Sequence, residues 1–176
     1  MTTPVTKELL PKELQGEVSI GTLNFEQLYR FAQIAQASGV FADVTDAAQA
    51  FVKICKGAEM GLPPMASMQA FDIISKRLFV KPWAIAAKIQ TCGYGRFVVL
   101  EQTAERCTIR FSRRMGENGW VEQPPVTYTI EEAQGHGLVQ RSPHWKTSPA
   151  NMLYQRCMGR GGQMYFSMSV MAVLYG

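Results

Sequence analysis

From Asn24 onward the apolar positions of the chain repeat with two periods, 3.6 and 2, and each change of period marks an element. Asn24 and Gln27 have capping-box spacing, and Leu28, Phe31, Ile34 and Ala35 follow on one helical face until Gly39. This predicts a first helix over residues 25–38. Thr45 is placed to cap a second, with Ala48, Phe51, Val52 and Cys55 as its apolar stripe and Gly61 as its stop. Leu62-Pro63-Pro64 punctuates the chain before a short helical turn through Met68 and Ala70.

The period then changes to 2. Asp72-Ile-Ile74 and Leu78-Phe-Val80 flank Ser75-Lys76-Arg77, which reads as a small hairpin with a basic tip. Pro82 opens a helix over 82–92, with Ile85, Ile89 and Cys92 on one side and Gly93 just beyond. Residues 96–103 and 107–114 form the clearest strand pair, turning at Ala104-Glu-Arg106. Alternation puts Cys107, Ile109 and Phe111 on one face and Thr108, Arg110, Ser112 and Arg114 on the other. Met115–Gly119 forms the next turn, and Trp120-Val121 with Val126–Thr129 offers a further strand pair interrupted by Pro124-Pro125. Thr129 and Glu132 repeat the capping-box spacing ahead of a helix that fails at Gly135 and Gly137, and Ser148-Pro149 starts the last long helix. The order of elements indicates an α+β fold in which antiparallel hairpins, or a sheet, pack with helices.

Residues 1–22 mix charges with Pro4, Pro11, Gly16 and Gly21 and read as a flexible arm. Residues 23–176 read as a single domain, because 47% hydrophobic content over 176 residues supports one substantial core and no linker divides it. The apolar ending from Met171 to Gly176 suggests truncation of a longer parent. Charge is uneven along the chain. Residues 1–75 carry 5 Lys/Arg against 8 Asp/Glu, and residues 76–176 carry 13 against 6, so the halves stand at −3 and +7. That split points the second half at a polyanion.

The four cysteines, Cys55, Cys92, Cys107 and Cys157, are scattered without a CxxC pair and read as buried thiols of a reducing compartment. With no apolar leader and no run of 18 apolar residues, the reading is a cytoplasmic protein with no membrane partner.

The pattern argues against familiar catalytic chemistry. Glu101, Glu105, Glu117, Glu122, Glu131 and Glu132 fall in no Asp-x-Asp or comparable metal-binding spacing, and the last two suit helix capping. His136 and His144 lie in a loop-like segment with no cysteine at zinc-ligand spacing. Arg160-Gly-Gly162 and Gly93-Tyr-Gly95 lack the Lys-Ser/Thr of a phosphate loop and sit in no βαβ unit. The expectation is a non-enzyme without cofactor or metal. A metal-dependent DNA nuclease and a basic protein-interaction module remain as alternatives.

The positive chemistry is basic and aromatic. On the last helix Met152, Arg156, Gly159, Arg160 and Gln163 share one face, and Leu153, Cys157, Met164, Met168 and Met171 form a separate apolar stripe. Arg110, Arg114, Arg156 and Arg160 are the leading candidates for phosphate contacts, with Lys76, Arg77, Lys81 and Lys88 behind them. Tyr94, Phe97, Trp120, Trp145 and Tyr154 are candidates for base stacking, with Trp145 and Tyr94 foremost, and Trp83 is expected in the core.

Trp145, Pro149 and Met152 have W-x3-P-x2-M spacing ahead of a basic helix. Before them come an amphipathic helix ending in Gly57-Ala-Glu-Met-Gly-Leu-Pro-Pro64, a hairpin, a helix ending in Cys92-Gly93 and a second hairpin. Over residues 25–170 this arrangement resembles the RecT-type, Red-beta-like single-strand annealing proteins of bacteriophages. The resemblance implies ATP-independent binding of single-stranded DNA and annealing of complementary strands in phage recombination. It also implies an oligomeric ring or helical filament holding the annealed duplex. A host single-strand-binding protein and a phage exonuclease are the further partners it implies. Trp145, Pro149, Met152 and Arg156 carry the match best. Lys81-Pro-Trp-Ala84 departs from the Tyr-Lys-Gly-Leu segment common in the family.

Overall fold

The computed structural model describes residues 24–116 and 119–170, with side chains through Phe166. The arm read at 1–22, the tip of the turn at 117–118, the Met168 side chain and the 171–176 run lie outside the described residues. The fold is α+β, with antiparallel sheets packed against helices. The described residues fall into two compact units, 24–69 and 70–170.

The first unit holds α1 (Phe25–Ala37), α2 (Ala47–Glu59) and most of α3 (Pro64–Ala70). The capping box at Asn24 forms in both directions: the Gln27 amide donates to the Asn24 side chain, and the Asn24 amide donates to the Gln27 side chain. For α2 the cap is Asp46, whose carboxylate accepts from the Gln49 amide, rather than Thr45.

The stripe read on α1 holds at Leu28, Phe31 and Ala35, which meet the core of this unit, and fails at Ile34; on α2 Phe51 packs against that core, but the buried side is turned away from Ala48 and Val52. Ala32 and Ala35 are buried on α1 while Ile34 is exposed, and Ala50, Lys53, Ile54 and Gly57 are buried on α2 while Ala48 and Val52 are exposed. Small residues let these helices approach closely. Lys53, 1% exposed, tolerates burial because Asp43 stands 2.9 Å from its ammonium. A Cβ on Gly57 would sit 1.9 Å from Ser67 Oγ, so α2 and α3 require glycine where they meet.

In the second unit, β1 (Phe71–Ile74) and β2 (Arg77–Val80) pair as a hairpin. Ser75 and Lys76 form its two-residue turn with φ of 51° and 63°, the left-handed backbone that matches strand twist in a tight hairpin. Next come α4 (Pro82–Thr91), β3 (Gly95–Gln102), β4 (Arg106–Arg114), β5 (Trp120–Glu122) and β6 (Val126–Thr129). The long β4 is central, with β3 on one side and β5 and β6 sharing the other. The chain continues through α5 (Ile130–Gly135), α6 (Leu138–Arg141), α7 (His144–Thr147) and α8 (Pro149–Val170).

Alternation on β4 is as the sequence indicates: Cys107, Ile109 and Phe111 are fully buried. They meet Ile85 and Ile89 of α4 and Leu153, Cys157, Met158 and Phe166 of α8. The apolar face of α8 therefore runs through Met158 and Phe166, and Met164, placed on the stripe by the sequence, is exposed. Gly161 and Gly162 make the approach of α8 possible. A Cβ would meet the Phe111 ring at 2.0 Å from the first and Ile85 Cγ2 at 2.6 Å from the second. Cys107 and Cys157 lie in this core, and the Cys157 thiol donates to the Val126 carbonyl at 3.0 Å.

Candidate nucleic-acid interface

Within the second unit a cleft of ≈ 980 Å³ opens between the β1–β2 hairpin, the start of α4, and α8. Strand alternation aims Asp72, Ile74 and Phe79 from the hairpin into it, and Lys81, Pro82 and Trp83 continue that wall. From α8 come two rows at four-residue spacing, Met152-Arg156-Arg160 and Asn151-Gln155-Gly159-Gln163. All five residues of the helix face read from the sequence line the cleft. Tyr128, His136, Leu138, Arg141 and Tyr154 complete much of the remaining surface.

The cleft is basic. Lys81 stands 3.0 Å from Asp72, which matches the one carboxylate of the hairpin wall. Arg141 and Arg156 are exposed and have no ion-pair partner among the described residues. Arg160 is held differently. Its guanidinium forms a two-pronged pair with the Glu132 carboxylate, one prong at 3.2 Å, donates to the Thr127 carbonyl at 3.1 Å, and stacks 4.6 Å from the Tyr128 ring centroid. This ties α8 to β6 and α5 and leaves Arg160 as a fixed feature of the cleft floor.

The Arg160 hydrogen bonds hold the Glu132 carboxyl below its usual range. A depressed native value stabilises the fold above the ordinary glutamate range, and that contribution is lost as pH falls through the native value. Glu132→Gln should therefore lower stability to denaturant at pH 7, with the gap from the parent closing below about pH 4. A gap of equal size at pH 3 and pH 7 would contradict the pairing.

Other candidates lie elsewhere. Arg110 and Arg114 project from the sheet face opposite the Phe111 core, where Arg110 pairs with Glu122 at 3.2 Å. They do not line the cleft. Arg96, beside them, stacks 4.5 Å from the Trp120 ring, so that indole already has a cationic partner. Lys76 and Arg77 are exposed at the hairpin turn, Lys88 is half-buried near the end of α4, and Tyr94 is exposed just before β3.

The two tryptophan expectations reverse. Trp145, 3% exposed, is core and presents no face to a base, whereas Trp83 is 46% exposed in the cleft. The W-x3-P-x2-M spacing is thereby structural at its start: Trp145 anchors α7 and Pro149 is the first residue of α8, while Met152 reaches the cleft wall.

Arg141, Phe79 and the amides of Asn151 and Gln155 are cleft residues that local patterning does not single out. Gly159 carries a signal of its own. Glycine inside a helix costs about 1 kcal/mol relative to alanine, and unlike Gly161 and Gly162 its added Cβ would meet nothing within 4 Å. Nothing inside the fold requires its absence of a side chain.

Among the described residues no three His, Cys, Asp or Glu side chains converge as a metal site, and no helix is long and apolar enough to cross a membrane. No family model, curated protein or solved structure matches the chain.

Proposed function

We propose that this chain binds single-stranded DNA in the cleft of its second unit and anneals complementary strands without ATP, in the manner of the RecT-type, Red-beta-like proteins of phage recombination. The observation that carries the reading is an open cleft in which Arg141 and Arg156, without an ion-pair partner among the described residues, stand beside Lys81 and exposed aromatic rings. A positive groove tracking phosphates, with π-faces for bases, is the general arrangement for single strands. Helix α8 supports it further, because its cleft-facing rows combine cations with uncharged amides and present no carboxylate.

Assembly belongs to the same proposal. The outer face of the four-stranded sheet carries Val98, 59% exposed, alongside Arg110 and Arg114. This face is available to neighbouring copies in a ring or filament that lines up successive clefts.

The test is the salt dependence of binding to a labelled oligonucleotide. If two to four cations of each copy neutralise phosphates, log affinity should fall with log salt at a slope of roughly −1.4 to −2.8. Annealing of complementary strands should proceed without nucleotide, rise with protein concentration and lead to large assemblies on DNA. Affinity that ignores salt, or degradation of the DNA in Mg²⁺, would refute the proposal.

A further inference from the structure

The cleft has two chemically different walls. On the hairpin side Phe79 and Trp83 are 45% and 46% exposed, large rings left open to solvent on either side of Lys81 and Pro82. On the helix side stand Arg156 and the amides of Asn151, Gln155 and Gln163, interrupted by Gly159. We infer that unpaired nucleobases stack on Phe79 and Trp83 while the sugar-phosphate backbone runs along α8, approaching it most closely over Gly159.

This rests on the single-strand reading above and adds to it which residues hold bases and which hold phosphates. Three observations converge. Exposed aromatic rings in a cation-lined cleft are suited to a partner with both a flat π-surface and negative charge, which a single strand supplies at every nucleotide. In a duplex the faces of each base are covered by the neighbouring base pairs, so a stacking wall favours unpaired strands. The bare backbone at Gly159 opens a gap in the amide row between Gln155 and Gln163, and among the described residues no atom lies within 4 Å of where its Cβ would stand. Primary amides on the same row can donate to phosphate oxygens or to base edges without adding charge.

The experiment compares the full chain's affinity for oligothymidylate with its affinity for an abasic deoxyribose-phosphate strand of equal length. The parent should hold the abasic strand about tenfold or more weakly, since each base-aromatic stack contributes on that scale. Phe79→Ala with Trp83→Ala should weaken oligothymidylate binding by a similar factor and leave abasic binding nearly unchanged. Both rings are half exposed, and circular dichroism of the variant should match the parent. Gly159→Ala should raise Tm by a few degrees yet weaken both strands, because it fills the backbone's path.

Equal parental affinity for the two strands would overturn the inference and leave the single-strand reading standing. The same holds if the aromatic variant loses both strands equally, or if Gly159→Ala binds both like the parent. Binding of neither strand by the parent would overturn both.

Discussion

Arg141→Glu combined with Arg156→Glu should lower affinity for a single-stranded oligonucleotide by about a hundredfold or more at moderate salt. Each charge-assisted hydrogen bond to a phosphate contributes roughly 1.5–3 kcal/mol, so loss of two amounts to about 3 kcal/mol at the low end, which is two orders of magnitude. Repulsion by the new carboxylates adds to the loss. The fold should persist, because both arginines are exposed and neither makes an ion pair among the described residues that the change would orphan.

A matched control removes the effect of overall charge. Arg110→Glu with Arg114→Glu makes the same change in net charge on the outer sheet face, away from the cleft. The control should weaken binding far less, and it should alter assembly on DNA if that face meets a neighbouring copy. Equal losses from the two double variants, measured by fluorescence anisotropy, would mean that binding follows diffuse charge and that the cleft is not the interface.

What the sequence made legible here is local. The Asn24 capping box, the buried alternation of Cys107, Ile109 and Phe111, and the cleft-facing side of α8 each depend on residues within a few positions of one another. Turn chemistry is local too, and Ser75-Lys76 sits at the hairpin tip as read.

Information supplied from distant positions escaped. The buried side of α2 includes Lys53, which periodicity assigns to solvent because its partner Asp43 lies ten residues earlier on another segment. Met158 belongs to the core only because Gly161 and Gly162 let α8 settle onto Phe111 and Ile85. Arg141 reaches the cleft through the short helices between α5 and α8, a route no spacing rule encodes. Arg160 shows the same limit in a different way. Its place on the cleft-facing side of α8 was legible, but its clamp by Glu132, 28 residues away, was not.

Trp145→Ala should destabilise the second unit by about 3–5 kcal/mol, the usual consequence of emptying a buried tryptophan site. Trp145 is 3% exposed and belongs to the same cluster as Ile109, Leu153 and Cys157. Its removal leaves a cavity beside the entry to α8, at the point where α7 hands the chain to Pro149. Total stabilities of domains this size are only about 5–15 kcal/mol, so the variant should melt at a much lower temperature and express poorly. Trp145→Phe keeps an apolar ring in the site and should recover a good part of the loss. The outcome separates two roles for this residue. A base-stacking tryptophan would give an alanine variant with parental Tm and weakened binding, whereas a core tryptophan gives one with a sharply reduced Tm whose folded fraction, assayed in the cold, binds oligonucleotide close to the parental affinity. The first pattern would show that Trp145 serves DNA directly; the buried packing of its ring predicts the second.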